Sequence, residues 1–176
     1  MLIPKSLDRT VAYTATNLFP AEWLAAADDA AVPDEATPRC AAPGAGAVGW
    51  PYRRFRSNYE RVAAQELAKQ RDPDPAAGFA RRGFLLQAVA AGWHRKSAAQ
   101  LRAVGDAVGR ARIAVVHGTA DRVISVPHGR SLIGYLEPGR GLVVDGMGHV
   151  PLMERTEWFN GLLAEMCATG ERLSGR

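Results

Sequence analysis

The sequence predicts an α/β fold in which a helical block precedes a parallel strand–helix–strand–helix unit. Three observations carry this. Ile113 to Val116 and Leu142 to Val144 are short apolar runs without polar alternation, the pattern of strands covered on both faces. Residues 128–137 between them have the length of one helix, which implies a parallel pair joined by a right-handed crossover. Residues 57–108 carry three capping signals, each followed by a helical segment.

Residues 1–56 read as an irregular N-terminal segment. A short apolar region spans Val11 to Phe19, with Val11 to Tyr13 available as a further strand, and Pro20 to Ala27 can form a helix that buries Trp23 and Leu24. From Asp28 to Pro51 the chain is rich in Ala, Gly and Pro and reads as one long loop. Ser57 then caps the helix SNYERVAAQELAKQR, with Glu60 placed for a capping box. Asp74 and Pro75 open AAGFARRGFLLQAVAAGWHRK, whose face holds Phe79, Gly83, Leu86 and Ala90. Ser97 caps AAQLRAVGDAV, closing a helical block over 57–108. The remainder, 109–176, holds both strands. Pro127 starts the crossover helix and Pro138 with Gly139 stops it. Thr156 caps a last helix that carries Trp158, Phe159, Leu162, Leu163 and Met166 to the sheet. Two strands alone do not make a stable covered sheet, so a further strand, a partner or more chain is expected.

The 176 residues fit one soluble domain with a real core. Lys and Arg exceed Asp and Glu by 22 to 18, and a formal charge of +4 is a weak argument for anionic partners. Cys40 and Cys167 alone exclude a disulfide-dense secreted scaffold, and a bridge between them is the less expected reading. The N-terminus lacks a signal-peptide pattern and no run is long enough to span a membrane, so a cytoplasmic protein is expected.

Asp121 follows the first strand in HGTADRVI and His149 follows the second in DGMGHVPL. In a parallel sheet both positions arrive at the same edge, where open sheets place their crevice. There a carboxylate can accept the imidazole Nδ1 proton and leave Nε2 to serve as a base near neutral pH. Gly118, Gly146 and Gly148 would let the backbone bend tightly around both. The plainer readings are a loop cap or Arg122 partner for Asp121 and an ordinary turn histidine for His149.

HGTADRVISVPHG followed by VVDGMGHVPLMERTEWFNGLL resembles the last two strand units of α/β-hydrolases. The resemblance implies a partial α/β-hydrolase fold, with 57–108 as cap-like helices, Asp121 as triad acid and His149 as triad base. It implies serine-type hydrolysis of an ester or related small substrate in a full-length form, with no cofactor. The chain departs from the family in lacking a G-x-S-x-G elbow. The elbow and its strands should precede Met1, so a truncated gene or misplaced start is expected, with a chain inactive alone and prone to self-association through an open sheet edge. The rival expectation is a non-catalytic interaction domain on the same fold.

His117, Asp121, His128 and His149 match no recognised metal-ligand spacing, and His117 is expected to pack or hydrogen-bond near the site. His94 reads as a helix-end residue, with contact to substrate as the alternative. PYRRFR at 51–56 reads as a solvated loop anchored by its aromatics, and no nucleic-acid or membrane partner is expected. Met147 and Met153 can line an apolar pocket or fill core.

Overall fold

The computed structural model describes residues 6–32, 54–71 and 81–175. Where the sequence suggests irregular chain and a strand at Val11 to Tyr13, the structure has a helix, α1 (Leu7–Leu18). Its β-branched residues favour extended chain locally, but Val11, Ala15 and Phe19 recur every four residues and are all buried. Two of its threonine hydroxyls are satisfied inside the helix: Thr16 Oγ1 donates to the Ala12 carbonyl at 2.8 Å and Thr10 Oγ1 to that of Ser6 at 3.2 Å. Tertiary burial thus overrides propensity. A short second helix, α2 (Ala21–Ala25), falls within the helix expected over Pro20 to Ala27.

Helix α3 (Asn58–Arg71) starts behind Ser57, whose Oγ accepts the Glu60 amide at 3.3 Å. The capping box is not closed on Ser57. Glu60 instead accepts the amide of Arg56 at 3.1 Å and pairs with its guanidinium. Helices α1, α2 and α3 pack together around Ala15, Phe19, Leu24 and Val62, a cluster that crosses the boundary drawn at 56/57. Phe19 and Leu24 are 3% and 6% exposed, each a burial contributing about 1.5–3 kcal/mol. Asp28, nearly fully buried, holds the unit closed: it accepts the amides of Ala30 and Phe55, each at 3.1 Å, and its Oδ1 lies 2.9 Å from Arg61 Nε.

Helix α4 (Arg81–Trp93) is present, while the expected Asp74–Pro75 cap and Phe79 lie outside the described residues. Its Leu85, Leu86, Val89 and Trp93 are exposed. Helix α5 (Ala98–Val108) begins with the complete capping box of Ser97 and Gln100. A 3-10 turn at Arg110–Arg112 then leads into β1 (Ala114–Gly118), α6 (Val126–Leu136) and β2 (Arg140–Val144). The strands are parallel, with Ala114 opposite Arg140 and Gly118 opposite Val144, and α6 packs on both. Among the described residues no third strand joins them. The expectation of strands covered on both faces is therefore corrected: Val115 is buried, but Val143 is 36% exposed, because one helix layer cannot cover two faces.

Helices α7 (Pro151–Glu154) and α8 (Thr156–Leu173) close the fold. Thr156 is not the cap of α8. It is already helical, and its Oγ1 donates to the Leu152 carbonyl at 2.9 Å. Two arginines of the 3-10 turn fasten helix ends. Arg110 donates to the Leu136 carbonyl at the end of α6 at 2.7 Å and pairs with Asp106 of α5, whereas Arg112 donates to the Leu173 and Gly170 carbonyls of α8 at 2.7 and 3.2 Å. Positive charge at helix C-termini also complements their dipoles.

Candidate functional site

The turn after β1 delivers Asp121, and the loop after β2 delivers His149. The two loops are stitched together before either side chain acts. Thr119 and Ala120 amides donate to the carbonyls of Val144 and Met147, each at 2.9 Å, and Thr119 Oγ1 donates to Asp145 Oδ1 at 2.9 Å while accepting the Gly146 amide at 2.8 Å. Gly118 and Gly148 matter here as missing side chains. A Cβ on Gly118 would overlap the Met147 carbonyl, and one on Gly148 would lie 2.6 Å from the Leu18 carbonyl oxygen. Only Gly146 of the three has a positive φ, 67°.

His149 Nδ1 donates to Asp121 Oδ2 at 2.9 Å, which fixes the ring as the Nδ1–H tautomer with Nε2 as acceptor. Asp121 Oδ1 accepts the amides of Val123 and Ile124 at 2.8 and 2.9 Å. One Asp121 oxygen thus organises the loop and the other holds the histidine ring. Burial opposes its charge, but the His149 hydrogen bond and the Ile124 and Val123 amides outweigh this and hold the carboxyl below its ordinary range. Its side chain is 6% exposed, against 31% for His149. Arg122 does not pair with Asp121 and reaches the Thr16 carbonyl at 3.4 Å.

His117 Nε2 lies 3.0 Å from the Ile124 carbonyl, so it carries the proton and braces the same loop, 3.8 Å from Asp121 Oδ2. Helix α6 comes close enough to His117 that a Cβ on Gly129 would overlap its ring. Met147, 1% exposed, fills core, and Met153 packs against the α1–α3 cluster. Among the described residues no group of three or more His, Cys, Asp or Glu side chains could hold a metal.

Two groups at this site were not legible beforehand. The Leu18 carbonyl, at the end of α1, accepts the His149 amide at 2.8 Å, and Glu154 Oε2 accepts that of Gly148 at 2.7 Å. Burial pushes the Glu154 carboxyl above its ordinary value, opposed by the Gly148 amide and the Arg155 charge. Glu154 lies close to His149 in the sequence, before the last helix, whereas nothing local in the sequence points to Leu18.

Two openings border Asp121. A groove of about 930 Å³ runs between residues 91–96 and the loop 121–128, and a smaller one of about 450 Å³ lies beside Pro20, Glu22 and Thr119. His94 lines the larger groove with His128. The described half of PYRRFR is a loop in which Phe55 donates its amide to Asp28 and Arg56 pairs with Glu60; Pro51 to Arg53 lie outside the described residues. Cys167 is a free, exposed thiol. No helix among the described residues is long and apolar enough to cross a membrane.

No family model matches this sequence, and no curated protein or solved structure matches it. The fold is accordingly described as a two-stranded parallel α/β arrangement flanked by helices.

Proposed function

We propose that Asp121 and His149 are the acid and base arm of a hydrolase that cleaves an ester or related small substrate by a serine-type mechanism, once a nucleophile-bearing segment completes the site, and that this chain alone is inactive. The observation carrying the proposal is the 2.9 Å bond from His149 Nδ1 to an Asp121 carboxylate whose other oxygen is held by two amides. Among the described residues His149 Nε2 has no hydrogen-bond partner. In the proposed reaction Nε2 takes the proton of an attacking hydroxyl, and Asp121 stabilises the imidazolium that results. The same proton then goes to the leaving alkoxide as the acyl group is transferred to the nucleophile. Water attacks the acyl intermediate with His149 again as base, releasing the acid and restoring the hydroxyl. The proposal places the protein in the cytoplasm, where Cys167 would remain reduced.

The test is ester hydrolysis by the 176-residue chain, alone and with a separately produced segment bearing a G-x-S-x-G elbow. The completed complex should turn over, and His149→Ala and Asp121→Asn should each reduce kcat by about a thousandfold or more. Retained turnover in both variants would refute the role assignment. Hydrolysis by the chain alone that disappears in His149→Ala would overturn the inactivity.

A second reading, a non-catalytic interaction domain, is favoured by α4, where Leu86, Val89 and Trp93 are 61%, 63% and 87% exposed. Replacing Leu86 and Val89 by Ser separates the readings, since it should abolish association without touching hydrolysis by a completed site.

A further inference from the structure

The groove of about 930 Å³ beside Asp121 gathers positive charge from two distant parts of the sequence: Arg95 and Lys96 on the segment between α4 and α5, and Arg122 on the loop after β1. His94 and His128 stand in the same wall. No acidic side chain among the described residues pairs with Arg95, Lys96 or Arg122. The one carboxylate in the wall, Asp121, has both oxygens committed to His149 and the loop amides. The three cations therefore outnumber the single carboxylate in the wall, leaving an excess of positive charge at one opening. Uncompensated like charges drawn into one concavity raise the local anion concentration and repel one another until an anion binds.

A second recess of about 310 Å³ adjoins the groove through Gly92 and Arg95 and is walled by Trp93. Trp93 is 87% exposed, so its ring is a flat apolar surface beside the cations. Gly92 has nothing within 4 Å of the position a Cβ would take, which leaves the approach to the ring open.

We propose that this groove binds a phosphate monoester with a flat apolar body, the phosphate held between Arg95, Lys96 and Arg122 and the body resting on Trp93. A phosphate dianion offers three terminal oxygens to cations arriving from two directions, whereas a carboxylate offers two in one plane. The groove borders Asp121 but not His149, so the inference stands apart from the proposed hydrolytic role.

Isothermal titration of the full chain with 1-naphthyl phosphate tests it, with 1-naphthoate and inorganic phosphate as comparisons. Naphthyl phosphate should bind tightest. Changing Arg95, Lys96 and Arg122 together to Gln should weaken it by about tenfold or more, since charge-assisted hydrogen bonds are lost. Trp93→Ala should bring naphthyl phosphate down to the affinity of inorganic phosphate. A charge-matched control, Arg9, Arg102 and Arg172 to Gln, should leave binding within roughly twofold, because long-range screening is all it changes. The readout is binding and not turnover, so a failed hydrolase reading would leave this result intact. Equal binding by the groove variant and the parent would overturn the proposal, as would absence of binding to the parent or naphthoate binding as tightly as the phosphate.

Discussion

The backbone amide of His149 donates to the carbonyl of Leu18 at 2.8 Å, so this histidine is held from behind by the end of α1. Gly148 makes that approach feasible. Gly148→Ala should destabilise the fold by about 1–3 kcal/mol, because its Cβ would meet the Leu18 oxygen at 2.6 Å and Pro20 Cδ at 2.8 Å. Urea unfolding measures this, and an unchanged midpoint would mean that α1 does not seat against the loop.

Asp121→Asn should lower stability at neutral pH by about 1–3 kcal/mol through loss of a charge-assisted bond. The folded carboxyl titrates below its ordinary value of 3.8. Its ionised form therefore contributes stability above that value, and the contribution fades as pH falls through the depressed folded pKa. The gap between parent and variant should accordingly close in acid. Nitrogen-15 NMR of the ring should also show His149 losing its Nδ1–H preference in the variant.

The fold and the site differ in how far they could be read from local pattern. Both strands, α5 with its cap, and the meeting of Asp121 with His149 follow from short apolar runs, turn residues and the geometry of parallel crossovers. Helix α1 could not be read this way, because Thr10, Val11, Thr14 and Thr16 look like strand, and only packing on α2 and α3 reveals the four-residue period. The groove cations had the same difficulty. Arg95 and Lys96 lie in a segment far from Arg122 in sequence, and only the tertiary fold places them together.

Glu154 should show the opposite pH sign to Asp121. Burial raises its folded pKa, so the folded state prefers the protonated acid, and ionisation erodes stability as pH rises through that raised value. Glu154→Gln keeps an acceptor for the Gly148 amide and loses the charge, so it should gain on the parent as pH rises. Glu154→Ala leaves the amide without its acceptor and should cost about 1–3 kcal/mol throughout. Chemical denaturation across the acid range distinguishes all three.

The open sheet should drive self-association. Among the described residues β1 and β2 pair only with each other, and each leaves one row of backbone groups free for another strand. Sedimentation velocity should show mass increasing with concentration. Val143→Lys, placing a charge on β2, should shift the chain toward monomer, and an unchanged distribution would exclude the sheet as the contact.

Arg110 and Arg112 sit two residues apart yet fasten opposite flanks, one tying α5 to the end of α6 and the other securing the end of α8. Their separate attachments should let the two helix ends open independently of each other. Amide exchange at the end of α6 should then accelerate without loosening α8, and the reverse, which would make the short turn a partition between the two. A protease that finds one flank ajar would meet the other still shut.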